Sequence, residues 1–116
     1  MFALKKVSLT GLLFLLFASN VSAVPFKFDY TLEGQVIGIV SRDVITTPCY
    51  ISIRDIHSAA NSNYYHAMAS SNQCNAALEA YSRGLNVKIW ALNAPENNSN
   101  DVIALEIHSG EVKWFK

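Results

Sequence analysis

Only one stretch of this chain carries a helical period, and that stretch constrains the fold most. In Ser70–Arg83 the residues Cys74, Ala77, Leu78 and Tyr81 fall at i, i+3, i+4 and i+7, one apolar stripe of a short amphipathic helix. Ser70, Ser71 and Asn72 offer side-chain oxygens to the orphan N–H groups at its start. Gly84 stands where a left-handed C-cap is wanted, after Arg83 in the last turn. Everything else with a period alternates as strands do. Gly34–Arg42 is rich in β-branched residues, with Val36, Gly38 and Val40 on one face and Ile37 and Ile39 on the other. Both faces are apolar, as in a strand covered twice or a barrel strand with an oligomer contact outside. Before it, Phe26–Tyr30 suits an edge strand or ordered arm.

Further strands follow. Cys49–Ile56 alternates, with Cys49, Ile51 and Ile53 on one face, and hairpins back onto the first strand through Asp43–Pro48. Tyr64–Ala69 is a short third strand after a polar loop. Asn86–Leu92 is a fourth, with Lys88, Trp90 and Leu92 facing away from Val87, Ile89 and Ala91. Asp101–His108 is a fifth, and Ser109-Gly110 turns it into a last short strand at Glu111–Phe115. The order β-β-β-α-β-β makes the chain mainly β with one helix, the order of an OB-fold-like five-stranded barrel. An open α+β sheet with one packing helix is the competing arrangement.

The first residues give an address. Lys5 and Lys6 precede an apolar run from Val7 to Phe17, and Val21-Ser22-Ala23 supplies small residues before a cleavage point. This pattern predicts a secretory signal peptide at residues 1–23, too short in its apolar part to anchor in a bilayer. A single domain at 24–116 is expected to be exported, to the periplasm or beyond, with no membrane span. An oxidising compartment and a small core together predict a Cys49–Cys74 disulfide pinning the helix to the second strand.

Charge and spacing exclude several functions. The whole chain has nine basic and nine acidic residues, and loss of Lys5 and Lys6 leaves seven basic against nine. The basic residues are scattered, which argues against nucleic acid. His57, His66 and His108 are far apart, no Cys-x-x-Cys pair exists, and no nucleophile elbow appears. Neither a metal, a cofactor nor catalysis is expected. Asp55-x-His57 could orient a base but reads better as a loop. Asn97-Asn98-Ser99 matches a glycosylation acceptor that occurs widely by chance. Aromatic side chains remain: Tyr64, Tyr65 and His66 flank a polar loop, and such rings stack on sugars or bases.

Two segments resemble the small secreted B subunits of AB5 toxins, the subtilase cytotoxin, typhoid toxin and pertussis-like group. Tyr81, Gly84, Val87, Ile89 and Trp90 match one motif; Gly34, Val36, Ile37, Ile45, Tyr50 and Ile53 match their first hairpin. The resemblance covers about half of residues 24–116. It implies an OB-fold, a homo-oligomeric ring, a toxin A subunit as partner and a host cell-surface glycan or glycoprotein as ligand. The chain departs from the group in its cysteine positions. It also has Glu33 where those subunits place a serine that helps hold the sialic-acid carboxylate. A glutamate repels that carboxylate, so the expected ligand-binding residues, Glu33, Tyr64, Tyr65 and His66, point to neutral sugars. A secreted or periplasmic protein that binds or inhibits another protein, with no sugar site, is the alternative.

Overall fold

The computed structural model describes residues 24–108; the leader and the last strand expected from the sequence lie outside them. The chain divides into two compact units, and the one that begins at Phe28 is a barrel. Its elements are β1 (Tyr30–Ser41), β2 (Cys49–Asp55), β3 (Tyr65–Met68), the helix α1 (Ser71–Arg83), β4 (Asn86–Leu92) and β5 (Asn100–Ile107). The strands close in the order β1-β2-β3-β5-β4. All neighbours are antiparallel except β3 and β5, whose parallel pairing at His66–Met68 shuts the barrel. The fold is therefore the OB-fold-like barrel, not the open sheet. No helix among the described residues is long and apolar enough to cross a membrane.

The long strand β1 makes closure possible. Its first half, from Tyr30 to Gln35, pairs with β4, and its second half, to Ser41, with β2. It begins four residues before the β-branched run, at the end of the segment expected to be an arm. Gly34 lies where both partners meet. A Cβ there would sit 1.9 Å from the Arg54 carbonyl oxygen, so no side chain fits.

The two apolar faces of β1 have a physical cause that alternation hides. Val36 pairs with Ile53, but Gly38 pairs with Ser52, so Ile37 is an extra residue in a β-bulge. Past it the phase flips: Leu32 and Val36 point into the core before the bulge, and Ile39 packs against the core after it. Ile37 and Val40 are left outside, and Gly38 and Val40 do not share a face with Val36. The bulge thus serves both sides of one strand, and turns Gly38 and Val40 to the outer face of the sheet.

α1 is capped as expected. The Ser70 hydroxyl accepts from the N–H of Asn72 and of Gln73, and Gly84 takes the left-handed conformation (φ 65°). The buried face differs from the expected stripe. Ala77 and Ala80 are buried, whereas Leu78 and Tyr81 are half-exposed. Small side chains let the helix approach the barrel closely, and the Cys49–Cys74 disulfide (Cα–Cα 6.1 Å) sets its rotation. Trp90, placed on the outward face by alternation, is nevertheless only 3% exposed, with the Lys88 ammonium 5.2 Å from the centre of its ring.

Candidate functional site

A cleft of about 540 Å³ opens on the outer face of β1–β2–β3. Val40 and Tyr50 line it from the sheet, with Tyr64 and Tyr65 beside them and Asn61 from the β2–β3 loop. The opposite wall is the β4–β5 loop, through Ala94, Pro95, Asn97, Asn98, Ser99 and Asn100. The face of strands 2 and 3 with the loop between strands 4 and 5 is where OB-folds bind oligonucleotides and oligosaccharides. No lysine, arginine, aspartate or glutamate is among the lining residues. Arg42 stands outside the lining, its guanidinium carbon 5.1 Å from the centre of the Tyr50 ring. The site is therefore aromatic on one wall, amide-rich on the other, and uncharged.

A chain of hydrogen bonds ties the two walls together beneath this cleft. His66 is 1% exposed, and its Nδ1 lies 2.9 Å from the Tyr64 carbonyl oxygen. A carbonyl only accepts, so Nδ1 carries the proton and Nε2 is left as an acceptor. The Tyr30 hydroxyl therefore donates to Nε2, at 2.6 Å. The same hydroxyl oxygen accepts from Asn100 Nδ2 at 2.8 Å, and Asn100 Oδ1 accepts from the Ala94 N–H at 2.8 Å. The chain runs from the β4–β5 loop through β5, β1 and β3 to Tyr64, with every direction determined. Burial pushes the His66 pKa down, against the pull of the Tyr64 carbonyl, and keeps the imidazole neutral. Burial likewise raises the Tyr30 hydroxyl, with Asn100 opposing and Asp29 adding.

The structure brings together three of the four residues singled out from the sequence. Tyr64 and Tyr65 are open on the cleft wall, and His66 lies under it as a structural link. Glu33 does not line the cleft. Its carboxylate lies on the outside of β1 between His57 Nε2 (3.7 Å) and His108 Nε2 (3.6 Å). Among the described residues no group of three such side chains is placed to hold a metal ion. Asp55 acts as a loop organiser: its Oδ1 accepts from the Glu33 N–H, and its Oδ2 from those of His57 and Ala59.

Sequence reasoning missed the amide wall. From the sequence Asn93–Asn100 is an exposed turn region, and only barrel closure shows that it faces the tyrosines. Gly38 and Ser52 gave no signal, because alternation without the bulge assigns Gly38 to the wrong face.

The chain is similar to protein p10 of Acyrthosiphon pisum secondary endosymbiont phage 1, at 29% identity over 117 aligned positions that take in 99% of this chain and 96% of that protein. No family model matches the chain, and no solved structure matches it.

Proposed function

We propose that this protein is an exported binding module that recognises an uncharged glycan in the cleft between Tyr64–Tyr65 and the Asn97–Asn100 loop. The carrying observation is the lining itself. Tyrosine rings offer flat apolar faces to a sugar's C–H surface. Asparagine amides both donate and accept, as sugar hydroxyls do. A sialic-acid carboxylate finds no cation among the lining residues. This agrees with the binding role implied by the toxin-subunit resemblance while setting aside Glu33 as a contact.

A single site of this kind is weak, because few contacts offset the lost freedom of the ligand; several sites on one oligomer would supply avidity. The test is a glycan array probed with wild type and Tyr65→Ala. Binding to neutral sugars that is lost in Tyr65→Ala is expected. A wild type that binds no glycan ends the reading, and strong sialic-acid binding ends the neutral preference. A second reading, a module that binds another protein and has no sugar site, is favoured by Leu78 and Tyr81, large apolar side chains half-exposed on successive turns of α1. A blank array would favour it.

A further inference from the structure

Gly38, Ser52 and Tyr65 form one row across three strands, Gly38 opposite Ser52 on β1–β2 and Ser52 opposite Tyr65 on β2–β3. Residues directly opposite in antiparallel pairs share a face. Ile51 and Ile53, on either side of Ser52, point into the core, so the row points outward. Outward residues on a sheet are ordinarily wet, yet Ser52 is only 4% exposed. The reason lies in the neighbouring strand. A Cβ added to Gly38 would stand 2.6 Å from the Tyr65 hydroxyl oxygen, 3.3 Å from its Cζ and 3.5 Å from its Cε1. The Tyr65 ring therefore leaves β3, crosses Ser52 and ends over Gly38. The hydroxyl end of the ring thus lies against the sheet, while Tyr65 as a whole is still 43% exposed and lines the cleft.

We propose that Gly38 and Ser52 are positioning residues, a floor of minimal side chains that lays Tyr65 flat as a preformed stacking platform for the C–H face of an uncharged hexopyranose. The proposal rests on the glycan reading above and specifies how that site is built. A ring already held in its bound orientation loses little further freedom when the ligand arrives. The amide wall opposite supplies the donors and acceptors that a stacked pyranose ring presents at its edge. The floor needs the bulge at Ile37, since without it Gly38 would point inward and β1 would offer a β-branched side chain under the ring.

The geometry supplies its own control. The closest approach to an added Cβ is by the hydroxyl oxygen, so Tyr65→Phe removes the clashing atom and keeps the stacking face. Purified, disulfide-bonded protein would be titrated with methyl β-galactoside, methyl β-glucoside and a nucleoside by saturation-transfer NMR. An NOE between the Tyr65 ring and the Gly38 α protons reports the platform independently. Tyr65→Phe, which keeps the ring and lacks the hydroxyl, is the reference for the double variant. Gly38→Ala should lose the NOE and bind about fivefold more weakly or worse. The double variant Gly38→Ala/Tyr65→Phe should bind within about twofold of Tyr65→Phe. If Gly38→Ala does not fold, Ser52→Val lifts the ring from beneath and should weaken glycoside binding to a similar degree, with no recovery on adding Tyr65→Phe. Wild-type affinity in Gly38→Ala, or no recovery in its double variant, overturns the floor and leaves the glycan site standing. A wild type that shows the NOE but binds no glycoside, or binds only the nucleoside, overturns the ligand instead.

Discussion

Asp55 is a buried carboxylate whose two oxygens are taken by three backbone N–H groups. Burial alone would raise its pKa, but those donors and the nearby His57 outweigh it and hold the carboxyl below its ordinary value. Its contribution to stability is thus complete above the unfolded value of about 4 and is lost as pH falls below it toward the folded value. Asp55→Ala leaves three part-buried backbone donors without their acceptor and should cost about 2–3 kcal/mol in urea unfolding at pH 7. His66 works in a different window. Its folded pKa is lowered, so the unfolded chain takes up a proton first as pH falls. Stability should therefore decline from about pH 6.5 downward until the folded imidazole also titrates. Protonation would place a hydrogen on Nε2, where the Tyr30 hydroxyl now donates. Unfolding midpoints of wild type and His66→Gln between pH 7 and 5 check this: the variant should show the flatter slope, and equal slopes would refute the assignment.

At the scale of elements, the disulfide and the curvature of β1 carry the most. Cys49 and Cys74 close a loop with a sequence separation of 25, worth roughly 3 kcal/mol in the chain-entropy estimate. The double variant Cys49→Ala/Cys74→Ala should lose about that much. Native protein purified without reductant should show no reactive thiol. Gly34→Ala drives a Cβ into a backbone carbonyl that cannot rotate away. It should cost about 2–4 kcal/mol, the range of severe single substitutions, with the β1–β4 amides exchanging faster. The bulge between Val36 and Gly38 shows where pattern reading stops. The β-branched residues Val36, Ile37, Ile39 and Val40 identify a strand, but a strand that turns over midway has the same composition as one buried on both faces. Similarly, the stripe Cys74–Ala77–Leu78–Tyr81 marks a helix; which edge of it docks depends on the disulfide and on how closely alanine lets it approach.

For the whole molecule, the exposed apolar side chains raise the question of assembly. Ile37, Val40, Leu78 and Tyr81 are open, and Ile45 on the β1–β2 loop is 92% exposed. Large apolar surface of this kind marks interfaces, and a head-to-tail contact that closes makes a ring. Trp90, which the alternating pattern adds to that surface, is buried and is not counted in it. Light scattering at micromolar concentration should give a mass above that of one chain. A strict monomer would remove the ring and the avidity that a weak glycan site needs.

The strand and helix segments, their order and the pairing of the two cysteines were all legible in the sequence, because each depends on local periodicity, capping chemistry or a pair with no other candidate. So was the prominence of Tyr64–His66, whose aromatic composition beside a polar loop is a local signal. The cleft was not. Its two walls are separated along the chain by the helix and β4, and they meet because β3 and β5 pair in parallel after the helix has crossed between them. Only closure put the asparagine loop opposite the tyrosines, buried His66 under them, and left Glu33 outside. The single extra residue at Ile37 then decided that a glycine, and not a β-branched side chain, lies beneath the Tyr65 ring.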